Sequence, residues 1–261
     1  MFKDIRVERD NLGIVTLTVD RPGAKNAIGV ETMREIREVI AELEGDMTAR
    51  ALIITGAGDE SFISGGDLKN FRLLETEFEG RDMAIEFHKT LNRLAALEIP
   101  VIAAINGYAY GGGCEMAVTC DFRIAAEHAM FGMRQIKMGI MCVWGGGQRF
   151  LRLVGRSKAL YYMLTGDTFD AQEALRIGFV DRVVPRGEAL ATAHAIAQKI
   201  AENPAWSVRF IKRSVNEGED MPLRNAIAYE AEMLALLWGT PDHKEAEAAF
   251  AEKRKPEFNK K

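Results

Sequence analysis

The chain has 261 residues, 48% of them apolar and 28% charged, an ordinary balance for a globular protein able to bury a sizeable core. A net charge of -4 gives no electrostatic argument for nucleic acid, and no apolar run is long enough to span a membrane. The three cysteines, Cys114, Cys120 and Cys142, form no CxxC pair, and the four histidines lack metal-ligand spacing, so neither set points to a metal site.

The N-terminus, MFKDIRVERD, has no apolar stretch of the signal-peptide kind. With the unpaired cysteines, this leads to the expectation of a reduced, cytoplasmic protein. Residues 5–8 and 14–19 read as paired strands around an Asn-Leu-Gly turn. Pro22 and Gly23 predict a loop without regular structure over 20–27. Apolar residues at helical spacing predict a helix over 31–44, stopped by Gly45. Residues 51–55 read as a buried strand. The stretch FISGGDLK (62–69) reads as a glycine turn entering a helix, and a second helix is expected over 81–97.

The centre of the chain is VIAAINGYAYGGGCEMAVTCD (101–121). An apolar β-branched run over 101–105 predicts a buried strand. Asn106-Gly107 ends it, and Gly111 to Gly113 lead into a buried helix over 114–118. Glycines let the backbone approach a ligand with no Cβ in the way. The helix start adds unpaired N–H groups and partial positive charge, which suits a developing oxyanion. A tight strand-to-helix turn with a solvated Glu115 explains the same residues without a ligand. No Gly-Lys-Ser/Thr follows the glycines, so the stretch is not a P-loop, and its spacing does not fit a dinucleotide fingerprint.

Beyond it, residues 122–126 read as a strand. Gly145-Gly146-Gly147 opens a helix through 153. Further helices are expected over 157–164 and 171–177, then a strand over 179–184 and a helix over 188–202. From 205 onward the chain reads as almost wholly helical. The recurrence of strand, glycine turn and helix predicts an α/β architecture. Composition shifts at Pro204 place a boundary between residues 1–203 and residues 204–261.

Three stretches together carry a family likeness: FISGGDLK (62–69), INGYAYGGGCEMAVTCDFRIA (105–125) and FGMRQIKMGIMCVWGGGQR (131–149). In order and over essentially the whole chain, the sequence resembles the enoyl-CoA hydratase/isomerase, or crotonase, superfamily. The resemblance implies a crotonase-like spiral of ββα units over 1–203, with a C-terminal helical region over 204–261 used for trimerisation. It implies a homotrimer or a hexamer built as a dimer of trimers. It implies an acyl-CoA thioester substrate, with CoA as part of the substrate and no tightly bound cofactor. The shared chemistry is polarisation of the thioester carbonyl by two backbone N–H groups, here those of Gly66 and Gly112. Ala24, Lys25, Ser64, Gly65, Asp67 and Leu68 match segments that line the CoA end. Lys25, Lys69 and the C-terminal lysines are candidate phosphate partners, and equally ordinary surface lysines.

One departure bears on the reaction. Hydratases of the family hold water between two glutamates. One aligns with Glu115, the other with Gln135, which cannot give or take a proton at working pH. No Asp or Glu lies between His128 and Gly166 to replace it. Before the last glycines stands Met-Cys-Val-Trp (141–144) in place of smaller residues, so Trp144 either fills part of the acyl site or belongs to the core. The leading reading is a hydratase-like lyase with Glu115 as acid/base and Gln135 positioning water. Decarboxylation of a 2-carboxyacyl-CoA, double-bond isomerisation and a non-catalytic acyl-CoA binder are the alternatives.

Overall fold

A computed structural model describes residues 2–258. Of the C-terminal lysines considered as phosphate partners, Lys260 and Lys261 lie outside the described residues. The chain opens with β1 (Ile5–Arg9) and β2 (Ile14–Val19), an antiparallel pair in register from Ile5 opposite Val19 to Arg9 opposite Val15. Residues Pro22–Ala24 form a short 3-10 helix, contrary to the expected irregular loop. Pro22 presets its φ for a helical first position, so a proline that excludes a strand still admits one tight turn. Next come α1 (Val30–Glu44), β3 (Ala51–Gly56), β4 (Ser61–Ile63), α2 (Leu68–Phe71) and α3 (Glu77–Ala96). The helix α3 starts four residues earlier than expected because Thr76 and Glu79 form a capping box, with Thr76 Oγ1 accepting from the Glu79 N–H at 3.2 Å.

The central stretch gives β5 (Val101–Ile105), β6 (Tyr108–Tyr110) and α4 (Gly112–Ala117). It is followed by β7 (Phe122–Ala126), β8 (Met130–Gly132), α5 (Gly146–Val154), α6 (Arg156–Thr165), β9 (Phe169–Asp170), α7 (Ala171–Arg176), β10 (Arg182–Val184) and α8 (Ala189–Ala201). Helices α9 (Ala205–Glu219), α10 (Leu223–Trp238) and α11 (Pro241–Glu252) complete the described chain. The strand expected over 179–184 is shorter. Phe179 and Val180 are buried in the core, and their N–H groups close the end of α7 on Ala174 O instead of pairing in a sheet.

The strands form two sheets, one ordered β1-β2-β3-β5-β7-β10 and one ordered β4-β6-β8-β9. Three times in succession the chain lays one strand in the large sheet and the next in the small one: β3 then β4, β5 then β6, β7 then β8. Asn106 makes one of these corners, its Nδ2 donating to Gly56 O at 2.8 Å and Gly58 O at 2.7 Å. The sequence reading passed over β6 and β8, since three-residue strands carry no periodicity and exist only by pairing across the fold.

The central strands β2, β3 and β5 of the large sheet are buried along their whole length, which is why β3 and β5 read as unbroken apolar runs. Leu52, Ile54, Val101, Ala103 and Ile105 face the main core, with α1 and α3. Ile53, Ile102, Ala104 and Ile124 face the other way, against Ala193 and Ala197 of α8. Helix α9 is tied to the body by Arg209, which donates to Asp46 O at 2.9 Å, and by Lys212, which meets Asp121 Oδ2 at 2.6 Å. No described residue of α10 is buried, although Leu223, Ile227, Leu234, Leu236 and Trp238 are apolar and exposed. Among the described residues, no helix is long and apolar enough to cross a membrane.

Candidate active site

Two glycine turns meet where the sheets come together. The first follows β4 and contains Gly65 and Gly66, and the second follows β6 and contains Gly111, Gly112 and Gly113. They lie close enough that a Cβ on Gly65 would sit 3.8 Å from the Gly112 nitrogen. Gly111 has φ +52, a left-handed conformation that glycine adopts without penalty. Gly112 is the first residue of α4, so its N–H precedes any intrahelical acceptor. At Gly66 the parallel bridge to Ile28 uses the neighbouring groups. The Ile28 N–H donates to Gly65 O at 2.9 Å and the Asp67 N–H donates to Ile28 O at 2.8 Å. The N–H of Gly66 itself points away from that bridge.

Aromatic rings pack directly on both glycines. A Cβ on Gly66 would lie 2.3 Å from Phe71 Cε2, and one on Gly112 would lie 2.0 Å from Trp144 Cζ3. Glycine at these two places is therefore required by packing of the wall as well as by access. Phe87 joins the two rings, with centroids 5.9 Å from Phe71 and 4.8 Å from Trp144. Trp144 is buried and belongs to the main core. Its ring packs beside Gly112.

Glu115, on the first turn of α4, is 1% exposed. Its Oε1 accepts from Gln135 Nε2 at 2.9 Å. Its Oε2 accepts from the N–H groups of Trp144 and Gly146, each at 2.9 Å. Gly146 opens α5, so the carboxylate sits at the N-terminus of a second helix in addition to its own. The burial nevertheless wins: desolvation pushes the Glu115 carboxyl above the usual range, against the lowering effect of the Gly146, Gln135, Trp144 and Val143 groups. Gln135 lies in a short 3-10 helix (Arg134–Met138) after β8 and is itself buried. Its Oε1 is buried with no hydrogen-bond partner. One carboxyl group with an accessible neutral form thus stands beside a neutral amide that presents an unused acceptor. The arrangement can move one proton at a time through Glu115.

The other expected residues spread around this centre. Ala24 and Lys25 are exposed, and Lys25 Nζ pairs with Glu60 Oε1 at 3.0 Å. Ser64 holds their loop in place, its N–H donating to Lys25 O at 3.1 Å and its hydroxyl to Ala24 O at 3.4 Å. Leu68 and Lys69 are exposed at the start of α2. Asp67 is buried, and its carboxylate is taken up by Arg21 at 2.7 Å and by the N–H groups of Lys69 and Asn70. Its side chain therefore works inside the protein rather than on a ligand. The nearby Cys142 thiol is pushed up to about 12 by burial, which removes it as a nucleophile. Among the described residues no group of three or more His, Cys, Asp or Glu could hold a metal ion.

The sequence reading missed the two N–H donors to Glu115 Oε2, as well as Phe71, Phe87 and Arg21. The first was within reach, since a triple glycine opening a helix is a place where free N–H groups await an anion. The aromatic wall carried no local signal, because its members are brought together only by the fold.

A sequence profile of the enoyl-CoA hydratase/isomerase family matches residues 9–261. A short-chain-enoyl-CoA hydratase of Clostridium acetobutylicum is 43% identical over 244 residues, covering 94% of this chain and 93% of that one. A crotonyl-CoA hydratase of Syntrophomonas wolfei is 39% identical over 257 residues, covering 98% of each. Among solved structures, an enoyl-CoA hydratase from Bacillus anthracis superposes with a TM-score of 0.95 at 34% identity, covering 99% of this chain and all of that one. Matches of this extent extend the likeness from the two glycine turns to the whole spiral of strand pairs and helices: the chain belongs to the enoyl-CoA hydratase/isomerase family and has its crotonase fold.

Proposed function

We propose that the protein adds water to, or removes it from, the α,β double bond of an acyl-CoA thioester, with the enolate oxygen held by the N–H groups of Gly66 and Gly112. Charge develops on that oxygen as the enolate forms, and two fixed donors stabilise it without reorganisation. Glu115 Oε1 takes a proton from water as the hydroxyl joins the β-carbon. The same carboxyl then delivers a proton to the α-carbon, so one group closes the cycle unchanged. Gln135 Oε1 accepts a hydrogen bond from the attacking water, or from the product hydroxyl in the reverse direction. CoA enters as part of the substrate, with no tightly bound cofactor, and Ala24, Lys25, Ser64, Gly65 and Leu68 lie along its path.

The observation that carries this reading is the pairing of Glu115 Oε1 with Gln135 Nε2 at 2.9 Å, beside an amide oxygen that has no partner. The hydratase names of close relatives support the same reaction. Incubation with crotonyl-CoA in ¹⁸O-water, read by mass spectrometry, tests it. A labelled 3-hydroxyacyl product from the wild type and none from Glu115→Gln is expected. Absence of any hydrated product across short, branched and aromatic enoyl thioesters overturns it.

A second reading has its own support. A neutral Gln135 and a Glu115 whose protonated form is favoured by burial place little negative charge near a departing carboxylate. Decarboxylation of a 2-carboxyacyl-CoA needs only that, an enolate site and one proton donor.

The exposed apolar face of α10 supports assembly as a homotrimer or hexamer, with residues 204–261 as the oligomerisation region. A cytoplasmic location fits the free cysteines.

A further inference from the structure

Arg21 joins three segments that meet beneath the Gly66 peptide. Its Nη2 donates to Asp67 Oδ2 at 2.7 Å, its Nη1 donates to Ala27 O, and its Nε lies 3.4 Å from Asp4 Oδ2. Asp4 Oδ2 is anchored in turn by the Thr32 hydroxyl at 2.6 Å. The Arg21 side chain is 21% exposed and that of Asp67 only 9%. Burial raises the Asp67 carboxyl, but Arg21 and the N–H groups of Asn70 and Lys69 outweigh it and hold the group below the usual carboxylate range. Asp67 is therefore ionised at neutral pH, and its bond to Arg21 is charge-assisted.

Asp67 directly follows Gly66. Its N–H is fixed on Ile28 O, and Gly65 O is fixed by the Ile28 N–H. Its Oδ1 accepts from the Lys69 N–H at 3.0 Å and caps α2, the helix that seats Phe71 against Gly66. The peptide carrying the Gly66 N–H is thus held at Gly65 O by the Ile28 N–H, and the Asp67 side chain one residue on is held by Arg21 and by the N–H groups of Lys69 and Asn70. Arg21 is the only cation on that carboxylate among the described residues.

We infer that Arg21 is a positioning residue for the Gly66 donor, and that it acts through Asp67 to aim the Gly66 N–H at the thioester oxygen. The inference rests on the reading that Gly66 and Gly112 hold that oxygen. Polarisation by an N–H donor depends on distance and direction, and a misplacement of about 1 Å can cost roughly 100-fold in rate. A group that only staples the fold would change stability and leave the bound carbonyl as polarised as before.

The test uses [1-¹³C]acetyl-CoA, which carries the carbonyl but cannot be hydrated. In the wild type the bound carbonyl resonance is expected downfield of the free thioester. Arg21→Met and Asp67→Asn should each reduce that shift, and the double variant should reduce it no further, since the two act as one unit. With a turned-over thioester, kcat should fall roughly 10- to 100-fold while KM changes little. Arg21→Lys should recover part of the loss, because an ammonium can keep one of the three contacts. If Arg21→Met does not fold, Asp67→Asn carries the same measurement, since it keeps the shape and removes the charge. No shift in the wild type removes the two-donor reading and this inference with it. A full wild-type shift in either variant, with only the melting temperature lowered, overturns the inference and leaves the two-donor reading standing.

Discussion

Gln135 donates its Nε2–H to Glu115 Oε1 across 2.9 Å, and this single bond separates the group that can move a proton from the one that cannot. Changing Gln135 to Glu puts a second carboxylate in that place. For a hydratase, Gln135→Glu should hold or raise the rate of water addition, because a second proton-transfer group becomes available. For a decarboxylase it should slow CO₂ release by roughly a thousandfold: a like charge at about 4 Å and an effective dielectric near 20 costs about 4 kcal/mol. Parallel assays of enoyl-CoA hydration and of CO₂ from a malonyl-type thioester separate the two outcomes.

The raised pKa of Glu115 predicts a pH profile with one limb. Burial is its main cause. To take a proton from water the carboxyl must be ionised, so kcat/KM for hydration should fall as the pH drops through a value above the ordinary carboxylate range. Gln135 does not titrate and adds no second limb. A bell-shaped profile from two carboxylates would contradict the single-shuttle scheme.

Glu115 should also be costly to stability at neutral pH. The folded protein holds its proton more tightly than the unfolded chain does. Its contribution to stability is thus complete below about pH 4.3, the unfolded value, and is lost as the pH rises through the raised folded value. Glu115→Gln cannot ionise and keeps one oxygen for the Trp144 and Gly146 N–H groups. Its new amide N–H can meet the free Gln135 Oε1 once that amide turns. We expect Glu115→Gln to be inactive but more stable than the wild type at pH 8, with the advantage vanishing near pH 4. Urea midpoints at the two pH values measure this.

Trp144 and Gly112 should behave as a coupled pair. Trp144→Ala removes a buried ring and should destabilise by about 3–5 kcal/mol. Its backbone N–H bond to Glu115 survives the change. Gly112→Ala alone drives a methyl into the Trp144 ring at 2.0 Å. Combined with Trp144→Ala, the same methyl enters vacated space. Denaturation of both single variants and the double variant should therefore show a double that is more stable than the sum of the singles predicts.

Helix α10 predicts an assembly. Leu234 and Trp238 are 53% and 61% exposed on a helix with no buried residue. Light scattering at micromolar concentration should give a trimer or hexamer of the 29.0 kDa chain. Leu234→Glu with Trp238→Glu should shift it toward monomer, because charge placed in an apolar interface must be desolvated. A stable wild-type monomer would remove the idea.

Much of this architecture was legible in the residues. Unbroken apolar runs marked β3 and β5, because a strand buried on both faces needs no polar alternation. Glycine turns marked the two places where the backbone packs too closely for a Cβ. The glutamine in place of an acid was visible as a letter. What the sequence could not display were relations between distant segments. The strands β6 and β8 exist only through pairing, and Phe71, Phe87 and Trp144 form a wall only once α2, α3 and the loop before α5 converge. The direction of the Glu115 shift was likewise undecided in one dimension. A helix start argues for a lower value and apolar neighbours for a higher one, and only the depth of burial, with 1% exposure, decides between them. Local chemistry is written residue by residue, but desolvation and the aim of an N–H group are set by everything packed around them.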